Sequence, residues 1–488
     1  MKQIVQQIFI VLSILGLLFS CTQNQEAASP AGLGFISVSQ FFKQSQIIIK
    51  VIDQSGLPLQ AEVLIGTALN DPFLGNLLQT DAQGQVVAPK EWSTVLPVTV
   101  RAPGYVAITY LHQSPHALTF KMRKAPMAQP ITLSGTTKGY PIKDRDDQID
   151  FGLIMKGMTK SELLAFDINK VISSDNDTFS VAGQDAQVPS NISLPRQKET
   201  YFIPITIEKN NYRLFMNEPG PQKVIALRGR FPFKKIIGEL RNNKNFVDLL
   251  NEFSLDGGTL KDVTVTGSAL KLNLDLAEFQ FRQSVAVTAP SHAADEVMIG
   301  VAAQDMNGIL MPTDVKKIQS GQLMNLKALD AKTSYVLKVL QKQSDFNVET
   351  GDPNSRDRLS VIYTQSSEKS AGQFLNLVEN PKVQGQQVFL DAPKALHLVN
   401  PYATFLVLSE LHEIIIGGRT TKIPLSRWEI YAPGWASQIN LPQQPLTLGT
   451  GPQWRWEASF FGGVDSASDL GPDMIQKTTH VTRSSIDF

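Results

Sequence analysis

Short apolar runs separated by turn-forming residues fill the region from residue 43 to residue 123, and this alternation constrains the fold more than any other feature. Ile47–Ile52 is a β-branched run that ends at the turn Asp53–Gly56, and Ala61–Ile65 is a second strand-like run. A further turn follows at Thr80–Gly84. Asp and Gly suit such turns because Asp accepts hydrogen bonds from its own turn and Gly adopts positive φ. Strands this short, separated by turns this often, predict a β-sandwich.

The order of these pieces resembles a known family. Residues 51–66 read VIDQSGLPLQAEVLIG, residues 80–85 read TDAQGQ and residues 97–105 read PVTVRAPGY. This series is similar to the carboxypeptidase regulatory-like, transthyretin-like β-sandwich, which we assign to residues 43–125. The resemblance implies an accessory module without chemistry of its own. The two Asp–Gly pairs in its turns are therefore interpreted as turn formers rather than as ligands.

The rest of the chain divides into three further β-rich segments. Residues 126–282 include Ser268–Leu276, where leucines alternate with polar residues as in a strand with one wet face. Residues 283–392 contain strand-like runs such as Tyr335–Leu340. Residues 393–488 resemble a fibronectin type III or immunoglobulin-like sandwich at the level of fold. The predicted fold class is mainly β, with tandem immunoglobulin-like β-sandwich domains and a short helical insertion.

Two short segments at helical spacing make up that insertion. Phe233–Leu240 and Phe246–Phe253 carry apolar residues three and four positions apart. One interpretation is that the two helices cover an open end of the second sandwich. The alternative is a surface helix that touches lipid head groups or a partner through Lys234, Lys235 and Arg241 with the phenylalanines. We favour the first, because helices of about ten residues need tertiary packing to persist.

The only cysteine of the chain, Cys21, follows an uncharged apolar run. Lys2 supplies a positive start, Ile8–Phe19 carries no charge, and Ser20 is small. These are the parts of an export signal. A helix of about 12 residues rises about 18 Å, which is too short for the roughly 30 Å hydrocarbon core of a bilayer. We therefore interpret residues 1–20 as a signal peptide that is removed.

The residues Leu18-Phe19-Ser20-Cys21 resemble the lipobox of bacterial lipoproteins. The resemblance implies that Cys21 becomes the first residue and carries a diacylglyceryl thioether and an amide-linked acyl chain such as palmitate. Each buried methylene contributes about 0.8 kcal/mol, so two or three chains anchor a protein firmly. Thr22 stands where some lipoproteins carry a retention aspartate, which implies the outer membrane, on either face. Residues 21–42 would be a lipidated tether; the alternative is an ordinary secretory signal in which Cys21 is incidental.

Composition predicts a folded body without an electrostatic preference for nucleic acid. Apolar residues make up 42% of the chain and charged residues 18%, which is typical of a chain with sizeable cores. The 45 basic and 45 acidic residues give a net charge of zero. The predicted partners are a membrane, through the anchor, and a protein or glycan ligand, but no nucleic acid.

One acidic cluster is a candidate for calcium. Its carboxylates are Asp144, Asp146, Asp147 and Asp150. Closely spaced carboxylates on a loop can converge on Ca²⁺ as oxygen ligands. The cluster lacks the EF-hand order, since Ile149 stands where the loop glycine belongs. We favour a solvated turn over calcium, and predict no other cofactor.

The tryptophans of the last segment have two interpretations. Trp454 and Trp456 share one face of a predicted strand, with Arg455 and Glu457 on the other. An exposed tryptophan row can stack on sugar rings, whereas a buried row is core. We favour burial. Trp435, alone in a Pro/Gly turn, is the candidate for an exposed ligand contact.

Motifs of known enzyme classes are missing from the sequence. It contains no G-x-S-x-G elbow, no Walker loop and no H-E-x-x-H, since His412-Glu413 is followed by three isoleucines. The one close histidine pair, His112 and His116, flanks a turn and is disfavoured as a metal site. We predict no catalytic residues and no enzymatic activity.

These observations favour a lipid-anchored protein of the bacterial cell envelope that acts as a binding, adhesion or scaffolding module. One alternative is an envelope hydrolase with an unrecognised acidic active site. Another is a lipoprotein subunit of an envelope complex. Buried carboxylates of raised pKa would favour the hydrolase, whereas aromatic surface patches would favour binding.

Overall fold

The described part of this computed structural model is built mainly of β-strands. It covers residues 46–68, 77–141, 148–164, 171, 173, 175–181, 184–195, 208–232, 235–236, 239, 246–267, 269–346, 358–366, 372–416, 419–443, 453–465 and 470–488. The first strands are β1 Ile48–Asp53, β2 Glu62–Ile65, β3 Leu78–Gln79, β4 Gln85–Val87, β5 Leu96–Arg101, β6 Ala107–Gln113 and β7 Leu118–Met122. The predicted mainly β fold is confirmed.

The later strands complete the set. They are β8 Ile131–Lys138, β9 Gln148–Lys156, β10 Met158–Thr159, β11 Asn176–Val181, β12 Gln184–Pro189, β13 Ile192–Ser193, β14 Asn211–Met216, β15 Gly220–Pro232, β16 Ser254–Val265, β17 Leu270–Lys271, β18 Leu274–Asp275 and β19 Phe279–Gln280. After these come β20 Gln283–Thr288, β21 Glu296–Asp305, β22 Ile309–Ile318, β23 Leu323–Ala328, β24 Ser334–Lys342, β25 Leu359–Gln365, β26 Lys382–Gln384, β27 Gln387–Phe389, β28 Asn400–Ile416, β29 Arg419–Pro433, β30 Gln438–Asn440, β31 Gln453–Gly463 and β32 His480–Asp487.

Helices are short. They are α1 Lys160–Leu164 and the 3-10 helices Phe246–Glu252, Gln343–Phe346 and Pro472–Lys477. Among the residues described, no helix has the length and hydropathy that a membrane crossing requires.

Strands from all four predicted segments join one 13-stranded sheet, here called the large sheet. Its order is β10-β22-β21-β24-β25-β32-β31-β28-β29-β6-β5-β2-β3. The N-terminal strands enter it through the parallel pairing of β6 with β29, from Ala107 opposite Trp428 to Tyr110 opposite Tyr431. We call this pairing the seam. The compact unit to which the sheet belongs spans Ile47–Phe488.

Smaller sheets pack on the large sheet and make sandwiches with it. In the first segment the sheet β4-β1-β7 shares a core with β2, β5 and β6, where Phe120 stacks on Tyr110 of β6 with ring centroids 4.3 Å apart. Near the C-terminus the sheet β26-β27-β30 covers the tryptophans, with Val388 in the same cluster as Trp428 and Trp456. The pair β20-β23 covers β21 and β24 in the same way. The predicted burial of the tryptophan row is confirmed.

A separate sandwich forms within residues 126–282. The five-stranded sheet β13-β9-β15-β16-β19 faces the sheet β14-β8-β17. The leucines of Ser268–Leu276 face its core as predicted, and Leu274 and Leu276 are buried. Instead of one long strand, this stretch forms two short ladders, β17 and β18, both parallel to β8.

The second predicted helical segment lies against the large sheet. Residues Phe246–Glu252 form a 3-10 helix, and Asn251 exchanges two hydrogen bonds with the backbone of Lys317 on β22, at 2.9 and 3.0 Å. Val247 and Leu250 are buried in the main core. This supports packing rather than lipid contact for this segment. Most of the first segment, including Lys234, lies outside the described residues, as does Arg241, whereas Lys235 pairs with Glu252 of the 3-10 helix at 2.7 Å.

The predicted turn formers act as turn formers. Asp53 Oδ1 accepts the backbone N–H groups of Ser55 and Leu57 at 2.8 and 2.9 Å, and Gly56 has a φ of +83°. The second turn repeats this arrangement. There Asp81 Oδ1 accepts two N–H groups, at 2.9 and 2.8 Å, and Gly84 has a φ of +68°.

The two turn glycines give a matched test of this packing. A Cβ on Gly56 would meet no atom within 4 Å, whereas a Cβ on Gly84 would clash with the carbonyl oxygen of Val51. We expect Gly56→Ala to cost about 1 kcal/mol from positive φ alone, and Gly84→Ala about 3 kcal/mol because the backbone must also shift. Urea unfolding of both variants measures the difference. Equal losses would contradict the close packing of the second turn against β1.

Candidate functional site

Among the described residues, a group of charged and largely buried side chains lies on the large sheet, on the face opposite the buried tryptophans. Arg455 and Glu457 on β31 face the same side as Arg483 and Asp487 on β32, because Glu457 pairs with Ser485 and Arg455 pairs with Asp487 in register. We call these residues, with Ser459 and Ser485, the charged face. Trp454 and Trp456 point to the other side of β31, so the predicted division of this strand into two faces is correct.

The two arginines of the charged face are bonded differently. Arg455 binds Asp487 through two atoms, with Nε 2.6 Å from Oδ1 and Nη2 3.2 Å from Oδ2. Arg483 binds Glu457 through Nη1 alone, at 3.1 Å. The Nε and Nη2 groups of Arg483 are buried without a hydrogen-bond partner. Leaving such donors unpaired costs about 1–3 kcal/mol each, so this edge of the guanidinium is a candidate contact site.

Burial differs along the charged face. Arg483 is 3% exposed, and its neighbours Ser459 and Ser485 are also buried. The side chains of Glu457 and Asp487 keep 25% and 18% of their surface. The face is therefore shielded around Arg483 and opens toward the C-terminal end of β32.

A second charged group ties the first segment to the C-terminal one. Arg123 Nε lies 2.5 Å from Glu429 Oε1, and the hydroxyl of Tyr431 donates to Glu429 Oε2 at 3.3 Å. Burial and the nearby carboxylate raise the pKa of the Tyr431 hydroxyl. Tyr431 also meets Tyr110 of β6 edge to face, with ring centroids 5.6 Å apart. These contacts lie at the seam and serve to hold it.

A third group joins the five-stranded sheet to β23 of the two-stranded sheet β20-β23. Lys327 donates to Ser254 Oγ at 2.6 Å, to Leu255 O at 2.9 Å and to Asp256 Oδ1 at 2.6 Å. These three acceptors all belong to β16, so Lys327 holds β23 against β16.

Asp314 belongs to the same group, since its Oδ2 accepts the backbone N–H of Lys327 at 2.9 Å, and its pKa and that of Asp256 shift in opposite directions. Burial raises the pKa of Asp314, although Lys316 and backbone N–H groups oppose the rise. The pKa of Asp256 is lowered, because hydrogen bonds from Lys327 and Arg230 outweigh its burial. The acidic active site of a hydrolase needs two carboxylates that lie together in one site. Asp256 is instead held ionised by two cations.

A fourth group surrounds a buried lysine. Lys209 has no exposed side-chain surface, lies 3.0 Å from Asp177 Oδ2 and donates to the carbonyl oxygens of Pro189, Ser190 and Ile192. Arg213 binds Asp177 at 2.7 Å as well. Asp177, which lies in β11, thus binds two cations of this chain.

His480 is a buried histidine that stays neutral. It shares a register row with Ile362 of β25 and Lys338 of β24. Burial, and then the charge of Lys338, lower its pKa to about 4. Nδ1 lies 2.8 Å from the hydroxyl of Thr479.

This histidine predicts acid sensitivity. The unfolded chain takes up the proton near pH 6.5 and the folded chain only near pH 4, so stability is complete above pH 6.5 and falls as the pH drops toward 4. We expect a loss of about 2 kcal/mol between pH 7 and pH 5 that His480→Gln removes. Urea unfolding at the two pH values measures it. Equal losses in both proteins would contradict the neutral assignment.

The residues predicted as sites have different outcomes. Cys21, Asp144, Asp146 and Asp147 lie outside the described residues. Asp150 lies in β9 opposite Arg230. Within the described ranges, no cluster of three or more His, Cys, Asp or Glu side chains is placed to hold a metal ion. The lipidation and calcium assignments stay predictions.

Trp435 is half-buried rather than fully exposed. Its Nε1 donates to the carbonyl oxygen of Phe461 at 2.8 Å, and the ring packs beside the tryptophan core. Part of the ring remains accessible, so a ligand contact there stays a prediction.

Arg483 was not predicted as a site residue. Its only sequence signal is its place on one face of a strand, two residues after Val481 and two before Ser485.

No protein-family model matches the chain, and no curated protein matches it either. The resemblances to the lipobox, to the carboxypeptidase regulatory-like module and to the fibronectin-like sandwich therefore stay predictions.

Proposed function

We propose that this protein is a lipid-anchored, non-enzymatic module of the bacterial envelope, attached to the outer membrane through Cys21, and that it works as a rigid binding or scaffolding body. The observation that carries the proposal is the large sheet. Segments that would move independently on linkers instead share one hydrogen-bonded sheet through the seam. A rigid body presents its surface residues in a fixed arrangement relative to one another.

Buried contacts at the seam support the proposal that β6 and β29 stay paired. Trp428 is fully buried and donates from Nε1 to Thr109 Oγ1 at 2.9 Å, across the two strands that form the seam. Glu429 is also buried there, where Arg123 neutralises it. Separating the strands would expose this core and leave a charge unpaired. Such a joint suits a scaffold better than a hinge.

The hydrolase alternative gains no support from the acidic groups described. Asp314 has a raised pKa, but its nearest charged neighbours are the cations Lys316 and Lys327. Asp256 is held ionised. We therefore keep the binding or scaffolding function as the proposal.

Detergent partitioning tests the anchor. The full chain, expressed with its own N-terminus in a bacterium that processes lipoproteins, should enter the detergent phase. Its N-terminal peptide should carry the mass of acyl chains on Cys21. The variant Cys21→Ser should stay in the aqueous phase, because the sulfur that accepts the lipid is missing. Recovery of the natural chain in the aqueous phase with a free thiol would overturn the proposal.

A further inference from the structure

The unpaired edge of Arg483 has the geometry of an anion fork. Nε–H and Nη2–H of a guanidinium point the same way and can bind two oxygens of one planar group. Nη1 is occupied by Glu457, so the pair of free donors is the edge that remains. We propose that this edge binds the carboxylate group of a ligand.

Neighbouring hydroxyls complete the set of donors. Ser459 lies directly opposite Arg483 in the register of β31 and β32, and Ser485 lies two residues further along β32 on the same face. Both are buried next to the guanidinium. A hydroxyl on each side gives a bound carboxylate further hydrogen bonds beyond the two from Arg483.

The charges already present on the charged face favour a ligand that carries a single negative charge. The charged face holds two arginines and the two carboxylates of Glu457 and Asp487, so its net charge is zero. A dianion such as phosphate would bring two negative charges into a shielded site that already holds two carboxylates. A carboxylate adds one charge and matches the planar fork. The ligand class is therefore a carboxylate-bearing molecule rather than a phosphate ester.

The exposed end of the charged face is where a ligand would enter. Arg483 is buried, whereas Glu457 and Asp487 toward the end of β32 are partly exposed. The end of the strand is held in place by two backbone hydrogen bonds between Phe488 and Trp454, at 2.9 and 3.0 Å. Nε and Nη2 of Arg483 themselves have almost no accessible surface, so we expect a carboxylate to reach them from this end once the side chains that cover them move aside.

Acetate and inorganic phosphate are the probes for the test. The full chain in detergent is titrated with each anion at constant ionic strength, and binding is measured by calorimetry and by the rise in melting temperature. We expect saturable acetate binding and at least tenfold weaker phosphate binding. Arg483→Lys keeps the positive charge beside Glu457 but removes the fork, so acetate affinity should fall at least tenfold.

Arg427→Lys is the matched control. Arg427 lies outside the charged face, and its Nε and Nη2 both donate to Glu410 at 2.9 and 2.8 Å, so this variant should bind acetate as the natural chain does. If Arg483→Lys does not fold, Ser459→Ala replaces it, and a severalfold loss of acetate affinity is expected. Tighter binding of phosphate, no saturable acetate binding, or unchanged affinity in the variant used would overturn the proposal.

Discussion

Replacing Trp428 with alanine lowers the free energy of unfolding by about 3–5 kcal/mol, which is the cost of removing a large aromatic side chain from a packed core. Trp428 is fully buried and packs beside Trp456, with ring centroids 6.2 Å apart. The substitution also leaves Thr109 without the donor that reaches it across the seam. Urea or thermal unfolding followed by tryptophan fluorescence and circular dichroism measures the loss.

The Trp428→Ala variant also tests which segments lose stability together. Because Trp428 lies on β29 and Thr109 on β6, the variant should loosen the first segment together with the C-terminal one. Ile415→Ala is the control, since Ile415 is 79% exposed and should change stability by less than about 0.5 kcal/mol. A Trp428→Ala protein as stable as this control would contradict the packing of the seam.

Replacing Lys209 with methionine should cost about 3–5 kcal/mol, because three carbonyl oxygens lose their donor and Asp177 keeps only Arg213 as a partner. The methionine retains most of the side-chain volume, so the loss reports the ammonium group rather than a cavity. Without it, the carbonyl oxygens of Pro189, Ser190 and Ile192 lose their common donor. Denaturant unfolding gives the free energy.

Two further variants separate the buried pair from an ordinary one. Lys223→Met removes a lysine that pairs at 2.7 Å with Asp262, whose side chain is 84% exposed, so it should cost at most about 1 kcal/mol. Adding Asp177→Asn to Lys209→Met should cost less than the sum of the single changes, because both remove the same interaction. Equal effects of Lys209→Met and Lys223→Met would contradict the buried pair.

Local signals of the fold were predictable, and the pairing of distant segments was not. The β-branched run and the Asx turn of the first segment place β1 within one residue of its predicted bounds, because both signals act between near neighbours. The seam joins residues 107 and 428, and no periodicity within either strand specifies that partner. The sequence does contain one signal: residues 106–111 are apolar except for Thr109, which is typical of a strand buried on both faces inside a sheet, as β6 is.

The charged face was likewise predictable within one strand but not between strands. Alternation along β31 places Arg455 and Glu457 opposite the tryptophans, and this was predicted. Which charges they meet depends on the register of β32, where Arg483 and Asp487 lie far along the chain. A single hydrogen bond from Arg483 to Glu457 instead of a fork follows from side-chain geometry, which sequence spacing does not contain.

Amide hydrogen exchange across the seam tests the shared sheet most directly. An amide of β6 that bonds to β29 exchanges only when the pairing opens, so peptides covering residues 107–113 and 428–433 should open with the same free energy. In Trp428→Ala both peptides should exchange faster by the same factor. If residues 107–113 exchange with a free energy of their own that Trp428→Ala leaves unchanged, the first segment is a separate domain and the rigid-body account is wrong.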